Sequence, residues 1–201
     1  MSEKSAEPTM GRRVIAASSS LLAAFWIVAL AAIPSAQSYR DQLAAGTPVE
    51  QIITAYDALA VIITITMLFA WITTGIWLRR LHIKATAEDP TVMRLKKPWA
   101  FWSWITPVVS LWFPKLFVDD LLKANGSEEA KSLLGKDSLV WWLTLGSSAF
   151  LLNLAIPSPF GMSAETPADY VPIRPDLHLA AAFLLTGSYL VWIRIVKTLD
   201  V

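Results

Sequence analysis

Residues 99–114 read WAFWSWITPVVSLWFP, four tryptophans and two prolines in a run without a single charge. Whether this stretch crosses a bilayer, lies along it or packs inside something else decides the topology of the chain. The remaining residues supply the terms of the answer. Four other segments, Val14 to Ile33, Ala58 to Leu78, Ser138 to Ile156 and Leu177 to Ile193, contain no Asp, Glu, Lys or Arg. A hydrocarbon core of about 30 Å needs about 17–25 helical residues, and each segment suffices once one or two flanking residues are added. With 55% hydrophobic residues and a positive mean hydropathy, the 201-residue chain reads as an all-α integral membrane protein.

The basic residues count the crossings. Take four spans, about 14–34, 57–78, 138–157 and 176–194, with the N-terminus inside. Lys4, Arg12, Arg13, Arg79, Arg80, Lys84, Arg94, Lys96, Lys97, Lys115, Lys123, Lys131, Lys136, Arg194 and Lys197 then share the cytoplasmic side. Only Arg40 and Arg174 fall outside. A fifth crossing at 98–114 would carry Lys115 to Lys136 and the tail outward, and most of the asymmetry would vanish. Short loops rich in Lys and Arg stay cytoplasmic. The expectation is four transmembrane helices in a bacterial inner membrane, with both termini cytoplasmic.

The local chemistry of the opening stretch agrees. Pro98–Pro114 is uncharged but spans only about 25 Å as a helix at about 1.5 Å per residue. Pro107 interrupts it and drives Thr106 away from helical angles. Neither remaining piece, 99–105 or 108–113, is long enough to cross. Residues 98–124 are therefore expected to form a cytoplasmic-side re-entrant or interfacial element. A kinked fifth span is the alternative, since membrane helices tolerate proline where neighbours satisfy the freed carbonyls.

Beyond Pro114 the pattern KLFVDDLLKAN is amphipathic. Phe117, Val118, Leu121 and Leu122 share one face, and Lys115, Asp119, Asp120 and Lys123 the other, with Asp119 four residues before Lys123. Such a helix suits the headgroup boundary or the surface of a partner subunit. Asn125-Gly126 is a plausible stop. Residues 1–13 are polar and expected to be a disordered cytoplasmic tail, and 14–201 a single membrane domain. The first apolar run is too long for a signal-peptide core, and Pro34 spoils a small-x-small cleavage pattern, so it reads as a retained helix. The loop 157–176 holds Pro157, Pro159, Pro167, Pro172 and Pro175 and is expected to be extended and stiff.

Residues 96–124, KKPWAFWSWITPVVSLWFPKLFVDDLLKA, resemble the signature of a bacterial membrane family, mainly actinobacterial, known as domain of unknown function 4328. The resemblance rests on Pro98-Trp99, Trp104 to Pro107, Leu111-Trp112-Phe113-Pro114, Asp119-Asp120 and Lys123-Ala124. Trp77-Leu78-Arg79-Arg80 looks like the family's Trp-Leu-aromatic-Arg motif, with Arg79 where an aromatic is usual. Ser110 stands where the family often has Asn, and the Asn expected shortly after the arginine is absent near Lys84. The resemblance implies a multi-pass membrane protein and no established activity.

Chemically reactive groups are few. The chain has no cysteine, which removes disulfides, iron–sulfur clusters, thiolate zinc sites and thiol catalysis together. His82 and His178 fall on opposite sides of the bilayer and cannot share a haem or metal. No basic face interleaved with aromatics lies outside the membrane segments, so no nucleic acid partner is expected. No ionisable group sits at the centre of a span. Accordingly no catalytic residue, metal or cofactor is expected. Asp57, at the outer mouth of the second span, and Asn153, in the third, are the candidates for a polar pathway. A helix-start carboxylate and an interhelical hydrogen bond are their plainer readings.

Trp77, Trp99 and Trp192, each beside basic residues, fit an interfacial belt. Trp102, Trp104 and Trp112 are more concentrated than a belt requires. With Trp99, Pro107, Pro114, Asp119 and Asp120 they form a candidate contact surface for lipid or a partner helix. Three functions follow. The first is a non-catalytic accessory or assembly subunit of a larger membrane complex, a respiratory assembly being one candidate. The alternatives are a small transporter or channel, and a lipid- or quinone-binding membrane protein.

Overall fold

The computed structural model describes residues 9–155 and 172–200, so most of the proline-rich loop lies outside the described residues. Seven α-helices follow one another: α1 Met10–Ala44, α2 Ala55–Glu88, α3 Trp99–Trp102, α4 Phe113–Asn125, α5 Glu128–Leu133, α6 Lys136–Ala155 and α7 Pro175–Leu199. Among the described residues there is no strand. Among the described residues, only α1, α2, α6 and α7 are long and apolar enough to cross a membrane, which are the four spans expected. The fold is an all-α, four-helix membrane bundle with short extra helices.

Local chemistry sets the helix ends. Thr9 Oγ1 accepts the Arg12 N–H at 3.3 Å, so α1 begins at Met10. Residues 10–13, expected to be disordered, form its first turns. Asp57 accepts the Thr54 N–H at 2.8 Å in a capping box that opens α2. Pro175 starts α7, where a missing N–H costs nothing. Gly126, at φ 66°, ends α4 in the left-handed conformation anticipated from Asn125-Gly126. α2 does not stop with its apolar run at Leu78 but continues to Glu88, carrying a polar extension beyond the membrane layer.

The spans alternate in direction, and α1 packs on both α2 and α7 while α7 packs on α6, giving the spatial order α2–α1–α7–α6. The start of α1, the end of α2, the start of α6 and the end of α7 therefore share one face, hereafter the basic face. Fourteen described basic and eight acidic side chains lie at it, against two basic and four acidic at the opposite face. Both ends of the described chain meet there, because Asp200 Oδ1 accepts the Gly11 N–H at 2.8 Å.

The bundle has an uneven core. Its basic half is aromatic. Trp141 stacks on Trp192 with ring centroids 5.2 Å apart, and Trp77 meets Trp192 edge-on at 5.8 Å. Trp77 and Trp192 are thus buried interior residues and not the interfacial belt their basic neighbours suggested. Flanking charge cannot tell a ring that turns toward lipid from one that turns toward the next helix. The opposite half is lined by Ala24, Ala29, Ala32, Ala36, Ala181 and Ala182, all buried, and small residues let helix backbones approach closely.

Candidate functional site

The space between the two outer helices, α2 and α6, is filled at the basic face by residues 98–125. This segment enters and leaves on the same side. His82 Nε2, on α2, hydrogen-bonds the Leu95 carbonyl at 2.8 Å and fixes the starting level. Six residues later the Phe101 carbonyl accepts from Trp71 Nε1 at 3.0 Å. Trp71 lies eight residues before Arg79, about 12 Å inside the helix's basic end. On the return, the Leu111 carbonyl accepts from Trp142 Nε1 at 2.8 Å. Trp142 lies six residues, about 9 Å, inside the start of α6. Phe117 then comes back to the His82 ring, 5.6 Å between centroids. Residues 98–125 are a re-entrant wedge, and no fifth crossing exists among the described residues.

Two features seat the wedge. The Phe101 ring fills the place where Gly75 lacks a side chain, so that a Cβ there would overlap it. Trp104 meets Trp141 and Trp142 edge-on at 6.3 and 6.5 Å, tying the wedge to α6 and the central aromatic stack. Trp99 packs edge-on against Phe113 at 4.8 Å, closing the wedge on itself. Ser103 is only 1% exposed.

The tip is a different matter. Val108 adopts φ 67° and ψ −59° in a γ-turn closed by Val109 N–H donating to the Pro107 carbonyl at 2.8 Å. A β-branched residue is strained in that region. Val108 and Leu111 are 65% and 66% exposed, and Trp102, Ile105 and Trp112 are also exposed. Pro107 is exposed beside them, whereas Pro114 is buried at the start of α4.

α4 overturns one expectation. Asp119 and Asp120, assigned to an exposed polar face, are both buried, Asp120 to 1% exposure. Asp120 accepts from Arg94 Nε at 2.8 Å and from the Arg94 backbone N–H at 3.0 Å, with Arg94 NH2 2.7 Å from the same carboxylate. That bond raises the basicity of the Arg94 guanidinium further. Asp119 pairs with Lys115, one turn earlier, and not with Lys123. The helix therefore buries its apolar side and its acidic pair together, because α2, α6 and α7 all pack against it. It lies on its own chain and not freely in the headgroup layer. Each buried carboxylate has its cation, as burial requires.

The proposed polar pathway is not brought together. Asp57 is exposed and caps its own helix. Asn153 is exposed on α6 and donates to the Ala149 carbonyl of the preceding turn at 2.9 Å. Thr66 and Thr73 likewise bond carbonyls of their own helix. The histidines are separate, as expected. His178 bridges Tyr56 and the Arg174 carbonyl, both at 2.8 Å, at the face opposite His82. Among the described residues no group of three or more His, Asp or Glu side chains could hold a metal.

Sequence reasoning missed the residues that hold the wedge: Trp71, Gly75, His82, Arg94, Trp141 and Trp142. A tryptophan within an apolar span hints at a carbonyl partner, since a buried indole N–H needs one. Nothing in the spacing marks Arg94 as the partner of a carboxylate 26 positions on.

Four spans, an Arg94–Asp120 ionic lock and a re-entrant aromatic wedge define an all-helical, multi-pass membrane protein. The chain belongs to the family described as domain of unknown function DUF4328, which matches residues 40–200 and so leaves most of α1 ahead of the match. No curated protein and no solved structure matches it.

Proposed function

We propose that this protein is a non-catalytic accessory or assembly subunit of a larger complex in a bacterial inner membrane, with both termini cytoplasmic. The wedge tip carries the reading. Irregular backbone at membrane depth is tolerated where protein or water covers it, since lipid satisfies no N–H or C=O. At the tip the Val108 N–H and the Trp104 and Ile105 carbonyls take no hydrogen bond among the described residues. Around them stand the exposed Ile105, Val108, Leu111 and Trp112. A rigid, strained, apolar tip with backbone groups to satisfy is suited to the side of another membrane protein's helix. The buried polar groups support a structural role, because Asp120 and His82 each tie neighbouring segments together while Asp119 is taken by Lys115 of its own helix. The cytoplasmic placement of the basic face rests on the lysine and arginine asymmetry.

Photocrosslinkers placed at Ile105 and Leu111 in the native cell test this directly. The expected product is one membrane protein, recovered in fixed stoichiometry in mild detergent and absent when the probe sits at Ile83. A chain that migrates alone, with tip probes capturing only lipid, overturns the reading.

A further inference from the structure

Four of the eight described acids at the basic face are taken up in ion pairs within the chain. Lys115 takes Asp119, Arg94 takes Asp120, Lys131 takes Glu128 and Arg194 takes Asp137. Asp200 is engaged by the Gly11 N–H and by Trp77 Nε1 at 3.3 Å. What is left is a cationic surplus, and part of it is gathered where the wedge enters the bundle. The His82–Leu95 bond sets Lys96 and Lys97 beside the basic end of α2. Arg79 stands one turn beyond Gly75, on the stripe of α2 that faces the wedge. Arg79, Lys96 and Lys97 are exposed and join no ion pair among the described residues. From Lys97 the chain descends into the membrane layer, and the exposed Trp102 and Ile105 follow within two turns.

We propose that Arg79, Lys96 and Lys97, with Trp102 and Ile105 below them, bind an anionic phospholipid of the leaflet on the basic face. The cations take the headgroup phosphate, and the two apolar side chains flank an acyl chain. A free phosphate would use only the upper half of this arrangement, whereas a lipid uses both. The cations lie at the membrane surface, apart from the tip, so replacing them tests lipid binding separately from any protein partner, whereas Ile105 belongs to both surfaces.

The test uses the purified full-length chain in mild detergent, with lipid retention read by native mass spectrometry. Phosphatidylglycerol is expected to be retained and phosphatidylcholine lost. The variant R79Q/K96Q/K97Q should reduce phosphatidylglycerol retention by about tenfold or more. The variant R80Q/K123Q/K136Q, which removes the same charge from exposed positions elsewhere on the face, should keep it. K97Q alone and W102A/I105A should each give a partial loss, so the site remains testable even if the triple variant folds poorly. Equal losses in the two triple variants, equal retention of phosphatidylcholine, or displacement of the lipid by inorganic phosphate would each overturn the proposal.

Discussion

The carboxylate of Asp200 accepts the backbone N–H of Gly11 at 2.8 Å, so the last helix caps the first. The N-terminus of α1 carries unsatisfied donors and partial positive charge, and Asp200 answers both. A Cβ at Gly11 would overlap that carboxylate. Gly11→Ala, which improves intrinsic helix propensity, should nevertheless lower stability by about 1–2 kcal/mol. Combined with Asp200→Ala it should cost nothing further, because the clash and the cap are one interaction. Thermal unfolding of the single and double variants in detergent reads this, and strict additivity would refute it.

The Arg94–Asp120 pair should be asymmetric. Arg94 is half-exposed and can return to water, whereas Asp120 cannot. Arg94→Ala strands a buried carboxylate and is expected to cost about 3–5 kcal/mol. Asp120→Asn keeps a hydrogen-bond acceptor and should cost about 1–3 kcal/mol. Equal losses, measured by the same unfolding assay, would mean that the carboxylate is hydrated after all.

Gly75 is the seat of the wedge. Gly75→Leu should expel the Phe101 ring and loosen residues 98–112, while leaving the four spans intact. Because the chain is free of cysteine, a single Ser103→Cys reports the change. Its thiol should resist maleimide when Gly75 is kept and label readily when Gly75→Leu is added. Protection in both backgrounds would show that the wedge does not depend on this contact.

At the tip, Val108→Gly should raise stability by about 1 kcal/mol, because glycine adopts positive φ without the strain that valine bears there. A partner that relies on the valine would bind less well at the same time. Lower thermal stability in Val108→Gly would mean that the γ-turn is not strained.

Orientation can be checked with the same cysteine-free background. Lys131→Cys, on the basic face, should react with a membrane-impermeant maleimide only after cells are opened. Glu50→Cys, at the opposite face, should react in intact cells. The reverse pattern would invert the topology.

The spans and the wedge were legible for one reason, which is that charge is excluded from lipid. Uncharged runs mark the crossings, and the lysines beyond Pro114 forbid a fifth. Asp119 and Asp120 were misread by the same logic, because periodicity treats every carboxylate as a mark of solvent. Burial of an acid depends on a cation brought from elsewhere, and Arg94 arrives through a loop that no helical pattern announces. Trp77 and Trp192 show the other limit. A tryptophan beside an arginine has the same local sequence whether its ring meets headgroups or a second tryptophan, and only the helix order α2–α1–α7–α6 decides between them.

The Trp142–Leu111 bond also has a bearing on biogenesis. Synthesis runs from the N-terminus, so the wedge leaves the ribosome before α6 and α7 exist. At that stage only Arg94 and the α2 partners Trp71, Gly75 and His82 are there to receive it. Trp104 must wait for Trp141, Leu111 for Trp142, and Gly11 for Asp200. The nascent chain therefore holds a half-seated aromatic hairpin in the membrane until α6 is inserted, and a truncation before α6 leaves that hairpin as the exposed mark of an unfinished protein.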